Sequence, residues 1–313
     1  MGLDTRWIRR WTPKRLFRHT ATMLAALFFM LAGSCMLAHA QTLSPHATAL
    51  EAKRLDLQAQ LRNNVFKEPL YLSSREEKRR VEGDIFAEIP GSLSEVTAAF
   101  KSASTVCDLV ILHLNVRACR PSGREGNESV TIALGPKRAM TSGELYHITY
   151  SLRIEAAEPA YFKATMQAPK GPLGTQDYRI VFEAMPIGGK QSFVHFGYAY
   201  GYGTVAKMAM DLYLSTAGRN KIGFTIIGHG ADGKPIHVGG ERGSLERNVM
   251  RYYLALLAYS SVTAGTTEER MNMRLRKWFA LTERYPAQLH ELDLAEYLAE
   301  KRSELARSAG AEK

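Results

Sequence analysis

The sequence predicts an α+β chain in which an antiparallel β-sheet wraps around one long helix, with further helices after it. Three observations carry this. The stretch from Gly239 to about Val262 places Val249, Met250, Tyr253, Leu256 and Leu257 at i, i+1, i+4, i+7 and i+8, an apolar stripe at helical spacing. Upstream, strand-like runs are separated by short Gly- and Pro-rich turns, a spacing that suits hairpins rather than βαβ units. Beyond Ala264-Gly265 the pattern changes to two amphipathic helices with Pro286 between them.

The first forty residues stand apart. Arg6, Arg9, Arg10, Lys14, Arg15 and Arg18 precede the mostly apolar run Ala21–Ala32, and Ala38-His39-Ala40 is an A-x-A cleavage site before Gln41. That is the signature of a secretory signal peptide, with a core too short for a comfortable membrane span. Cys35 after Ala32-Gly33-Ser34 is similar to a lipoprotein box, but Leu31 stands one place too far away. Residues 1–40 hold six of the 41 Lys+Arg and one of the 31 Asp+Glu, so the remainder carries 35 against 30, a net of +5 rather than +10. No basic face with interleaved aromatics is left for nucleic acid. The expectation is a periplasmic or secreted protein with no stable membrane span in its mature chain.

Export leaves two cysteines, Cys107 and Cys119. In an oxidising compartment an even pair is more simply a disulfide than a metal site, with two free thiols as the alternative. Twelve residues of helix would hold them about 18 Å apart, so bridging requires the chain to turn back after about Val116.

In chain order, residues 41–64 form a surface helix with Leu50, Leu55, Leu57 and Leu61, a loosely attached arm. Ser73–Lys78 is polar. From Arg80, Val81, Gly83, Ile85 and Ala87 alternate with Glu82, Asp84, Phe86 and Glu88, a first strand. Ser92 caps a short helix bearing Leu93, Val96, Ala99 and Phe100. Residues 106–115 are apolar enough for a buried strand or a second short helix, and the helix suits their neighbours better. Strands follow over 129–134, 145–155, 161–167, 178–184 and 192–200. Thr204–Thr216 is helical, with Val205, Met208, Ala209, Leu212 and Tyr213 on one face and Gly218 as its stop. Ile222–Ile227 is a further strand, and Ser244 is the N-cap of the long helix, with Glu241 and Glu246 at its positive end. Residues from about Arg307 are frayed. The domain division is then 1–40 leader, 41–79 helical arm, 80–264 main domain and 265–306 helical extension.

This order of elements over about residues 80–262 resembles the helix-grip fold of START and polyketide-cyclase-like (SRPBCC-type) domains. The resemblance rests on Val81–Ala87, the short helices around Leu93 and Leu109, and Glu246–Tyr259. It implies a hydrophobic pocket between sheet and long helix, for lipids or aromatic small molecules, or a cyclase or hydrolase site in the same place. The helix at 204–216 and the two tail helices depart from that pattern.

A ligand-binding set can be drawn on this frame. The long helix supplies Val249, Met250, Tyr253 and Leu257. The aromatic run 193–203 supplies Phe193, His195 and Tyr198, and Met208 adds a flexible wall. His113, Asn115, Arg242 and Glu246 are the candidates for a polar head group. Each has a bland counterpart in core packing, backbone satisfaction or helix capping. Arg242, Arg247 and Glu246 at a helix start also fit an anion site. Gly171–Arg179 has the composition of a gating loop, with Asp177 and Arg179 on one strand face. His229, His237 and His290 lack metal-ligand spacing, no G-x-S-x-G is present, and no nucleophile is named. No cofactor is expected, and enzyme status stays open, with Asp177, His195 and Glu246 the acid–base suspects. The expected function is a carrier for a hydrophobic small molecule or lipid. The alternatives are a protein partner docked through 265–306 or a cyclase/hydrolase-like enzyme.

Overall fold

The computed structural model describes residues 44–135, 145–215 and 218–310. The expected leader, Pro136 and Thr216 lie outside them. Two helices, α1 (Pro45–Asp56) and α2 (Gln58–Arg62), precede the hairpin β1 (Leu70–Glu77) and β2 (Arg80–Pro90). Then come α3 (Leu93–Thr97), a 3-10 turn (Ala98–Phe100) and α4 (Ala103–Val110). A meander follows: β3 (Val116–Arg124), β4 (Asn127–Leu134), β5 (Tyr146–Glu158), β6 (Tyr161–Lys170), β7 (Thr175–Gly188) and β8 (Gln191–Tyr202). Helix α5 (Thr204–Ser215), the hairpin β9 (Ile226–His229) and β10 (Pro235–His237), and the long helix α6 (Gly240–Ser260) come next. The chain continues through α7 (Thr267–Thr282), α8 (Pro286–Leu289) and α9 (Leu294–Gly310).

Strands β1–β8 form one antiparallel sheet in the order β1-β2-β8-β7-β6-β5-β4-β3. Strand alternation sends Val81, Ile85, Phe182, Val194 and Phe196 inward, where they meet Leu245, Val249, Met250 and Tyr253 of α6 in the main core. Gly83 makes this crossing a close one: a Cβ there would sit 3.1 Å from the Leu245 side chain and 3.2 Å from that of Val249. The architecture is the expected one, a helix-grip α+β fold with C-terminal helices added.

The outer face of the sheet has its own core. Ala47, Leu50, Leu57 and Leu61 of the arm pack on Phe86, Tyr161, Met185 and Phe193. Arg54 pairs with Glu51 and Glu88, and Lys53 lies over the Phe86 ring. The arm is therefore docked rather than loose, because the outward side chains of four strands are apolar where it lies.

Several local expectations need correction. Strand β1 covers the polar run Ser73–Lys78 as far as Glu77, and β3 begins where only a turn was expected. Both are sheet edges, which tolerate polar residues and even Pro121. The strand expected at 222–227 starts at Ile226 and pairs only with β10, in a separate two-stranded sheet. Helix α6 is entered from Gly239, and Ser244 is inside it, not its N-cap. Arg247 and Arg251 lie off the predicted stripe, yet both are buried. The extra helices wrap the far side of α6, Arg251 reaches Glu291 at 3.0 Å, and Trp278 donates to the Arg251 carbonyl. Nor is the chain frayed at Arg307, since α9 continues to Gly310.

The short helices came out as expected. Ser92 forms a capping box with Glu95 at α3, and 103–110 is helical. Cys107 and Cys119 are joined, with their Cα atoms 5.3 Å apart, because β3 runs back along α4. Helix α9 is fixed to the same corner. Tyr297 donates to the Leu112 carbonyl, and Lys301 donates to those of His113 and Val116 at 2.8 and 2.7 Å. Lys301 and Arg117 both meet the fully buried Glu304. Burial pulls the Lys301 ammonium down to about 8, and Glu304 limits the fall.

Candidate functional site

Between the inner face of the sheet and the N-terminal half of α6 lies a cavity of about 310 Å³. Leu134, Ile148, Tyr178, Tyr198 and Tyr200 form its sheet wall. Glu241, Ser244 and Asn248, one helical turn apart in two steps, form the α6 wall. Ala206, Ala209 and Met210 of α5, with Pro172, Leu173 and Thr175, close the remaining side. Of the Gly171–Arg179 segment, Pro172, Leu173, Thr175 and Tyr178 line the cavity. At its far end a bulge puts Asp177 at φ 52°, and Asp177 and Arg179 are both exposed.

Tyrosine dominates this wall. Tyr178 stacks on Tyr200 with ring centroids 5.3 Å apart, and Tyr198 lies 5.8 Å from Tyr200 and 6.2 Å from Tyr252. Tyr150 completes the group, edge-on to Tyr178. Burial first, then the neighbouring rings, hold the Tyr150 and Tyr198 phenols well above their ordinary range, so these hydroxyls stay neutral. The Tyr178 hydroxyl donates to Thr175 Oγ1 at 2.7 Å and that of Tyr200 to Glu241 Oε2 at 3.0 Å. Burial pushes the Glu241 carboxyl up, the Tyr200 hydroxyl opposes this, and Glu76 adds to it.

The residues singled out in the sequence are dispersed by this geometry. Tyr198 alone among them lines the cavity. Val249, Met250 and Tyr253 are buried in the solid core, and Leu257 is half-buried against it. Glu246 is fully buried as a structural staple. Its carboxylate accepts from the Ser74 and Thr225 hydroxyls and from the backbone N–H groups of Phe224 and Thr225, between 2.5 and 2.9 Å. Arg242 donates to Ser74 and Arg247 to the Ile222 carbonyl. Gly243 lets that loop lie against the helix, since a Cβ there would come within 2.8 Å of the Val238 carbonyl oxygen.

Met208 is 67% exposed, and Val205 and Leu212 share its outward side. Of the expected apolar face of α5, Ala209 lines the cavity, while Val205, Met208 and Leu212 point outward. Helix α5 carries two apolar stripes, and the one with the alanines faces the cavity. His113 is buried at the α4–β3 corner, stacked 4.7 Å from Tyr252, and its Nδ1 accepts from the Asn115 N–H. The Asn115 side-chain oxygen is buried without a hydrogen-bond partner among the described residues.

Phe193 and His195 lie on the other side of the sheet, beneath the arm. His195 stacks on Phe86 with centroids 4.3 Å apart and bridges Glu183 and Asp84, each at 2.8 Å. Asp177 is six positions before Glu183 on β7 and is not a partner. The cavity residue that sequence reasoning undervalued is Glu241, read only as a helix-dipole acid. Its signal is its place two residues after Gly239, on the side of α6 that α5 and β8 enclose.

Among the described residues no group of His, Cys, Asp and Glu is placed to hold a metal ion, and no helix is long and apolar enough to cross a membrane. No protein-family model and no curated protein matches the chain. Solved structures do. Human StAR-related lipid transfer protein 5 is 12% identical at TM-score 0.31, covering 56% of this chain and 91% of its own. Zhui aromatase/cyclase from Streptomyces sp. R1128 is 10% identical at 0.31, covering 64% and 94%. A START superfamily protein from Mycobacterium smegmatis is 9% identical at 0.29, covering 44% and 92%. These values carry no argument about ligand or activity. The strand order and the long helix the sheet wraps give the chain a helix-grip fold.

Proposed function

We propose that the protein is an exported carrier or sensor of a hydrophobic small molecule, held between the sheet and α6. One observation carries the reading: the cavity of about 310 Å³ walled by Tyr178, Tyr198, Tyr200, Ile148 and Leu134, with few polar groups. Apolar concavities with a small number of convergent polar groups are the usual form of a small-molecule site. The volume corresponds to roughly ten waters of liquid, which suits a compact ligand or one end of a lipid better than a whole lipid. Helix α5 and the 172–175 turn lie across the site as its cover. In this reading residues 1–40 are removed on export, 41–79 and 265–306 brace a main domain over 80–264, and shielding serves an apolar cargo in an aqueous compartment.

The test is native mass spectrometry of protein purified without detergent, followed by organic extraction. Ser244→Phe, which pushes a ring into the cavity from α6, is expected to lower occupancy while circular dichroism and the melting profile stay close to the parent. A protein that comes out empty and takes up no added hydrophobic probe overturns the proposal.

A further inference from the structure

Glu241 is 8% exposed and contributes to the wall of the cavity. Its Oε2 accepts from the Tyr200 hydroxyl, and among the described residues it forms no ion pair. The cations around it are committed elsewhere. Lys207, whose charge reaches it, is exposed and pairs with Asp211 at 3.0 Å, and Arg242 is bonded to Ser74. Glu76 and Asp211 add repulsion rather than relief. A carboxylate in the first turn of a helix gains from the helix N-terminus, but an exposed one gains the same without the cost of desolvation. Helix capping therefore explains an acid here and leaves its burial under a cavity unexplained.

The neighbouring rings supply the other half of a cation site. Tyr178, Tyr198 and Tyr200 share the wall with Glu241, and a tyrosine face attracts an ammonium group while a buried carboxylate neutralises it. From this juxtaposition we infer that the cavity selects an amine: a small protonated ammonium compound with an apolar body, its charge on Glu241 and its body on the tyrosines. The inference rests on the proposed ligand-binding reading and narrows its ligand class. The upward push on the Glu241 carboxyl is what a site awaiting a cation is expected to show, because the incoming charge restores ionisation.

Heptylamine, heptanol and heptanoate share nearly one shape and differ in charge, so titrating each into the full chain at pH 7 by calorimetry and ligand-observed NMR separates charge from apolar fit. Heptylammonium is expected to bind at least about ten-fold more tightly than heptanol, the worth of one charge-assisted hydrogen bond, with heptanoate weakest. Glu241→Gln keeps the shape and an acceptor for Tyr200, and is expected to bring amine and alcohol level. Equal binding of amine and alcohol by the parent chain overturns the inference and leaves the cavity reading standing. An amine preference that survives Glu241→Gln also overturns it, since another group then supplies the charge. Binding of none of the three overturns both readings. The parent chain alone decides the amine–alcohol comparison if the variant does not fold.

Discussion

His195 lies between two carboxylates on the outer face of the sheet, and its protonation is built into the packing there. Burial pulls the imidazole down, but the bonds to Asp84 and Glu183 outweigh it and hold the pKa above the ordinary value. The bonds therefore contribute fully below about pH 6.5 and are lost as pH rises through the raised value. Glu183 runs the other way. Burial raises it, bonds from His195 and Tyr161 prevail, and the carboxyl is pulled down to about 2, so its contribution is present above the ordinary carboxylate range and fades toward pH 2. His195→Phe keeps the stack on Phe86 and takes the imidazolium from both acids, leaving Glu183 with Lys163 at 3.8 Å. Urea denaturation is expected to show a larger loss of stability at pH 5.5 than at pH 9; equal losses would mean the ring is neutral in the fold. None of this pairing was visible in sequence, because Asp84, Glu183 and His195 come from three strands whose register no local pattern encodes. Glu241 was hidden in the same way: its acidity is local, its burial tertiary.

At the scale of elements, periodicity located what is buried on one face and missed what sits at an edge. The alternation of Val81 to Glu88 gave β2 and both its faces correctly. Strands β1 and β3 escaped because edge strands need no apolar alternation beyond the core, and Ser74 on β1 serves as a polar tie to Glu246 and Arg242 instead. Helix α5 was found with its face only partly placed: of the expected residues Ala209 lines the cavity, whereas Val205, Met208 and Leu212 point outward and Ala206 and Met210 take their place. Helix α9 offers a sharp element-level test. Lys301 is 1% exposed and is held by two carbonyls and Glu304. Lys301→Ala removes the two donations to the His113 and Val116 carbonyls and one of the two cations on Glu304, Arg117 remaining, and is expected to cost about 1–3 kcal/mol. Amide hydrogen exchange is then expected to rise across 294–310 and at the 112–117 corner; protection unchanged there would show that α9 is held by its apolar face alone.

For the molecule as a whole, the proposed export and the disulfide can each be tested directly. The protein recovered from the periplasm is expected to begin at Gln41 on N-terminal sequencing, and a start at a lipidated Cys35 would refute the cleavage site. Cys107→Ser with Cys119→Ser opens a loop of about a dozen residues, and the loss is expected to be on the order of 3 kcal/mol in denaturant titrations. The element order over 80–262 and the wrapped helix could be read from the chain because both are set by long periodic segments. The cavity could not, because it exists only where α5 crosses the sheet.

The strand order has a consequence for how such a chain reaches its folded state. All neighbours in the sheet are consecutive in sequence except β2 and β8. The β1–β2 hairpin and the β3–β8 meander can therefore each zip up from local turns, leaving a single seam. There Pro90 faces Gln191 across about a hundred intervening residues, and closing a loop of that length costs on the order of 4 kcal/mol before any ladder bond forms. Helix α6, which packs over β2, follows both strands in the chain. Until the seam shuts, β2 and β8 present two bare sheet edges, and a second emerging copy is as good a template as the chain's own partner. A high local concentration of unfolded copies, rather than heat, is then the condition under which this protein is most exposed to misassembly.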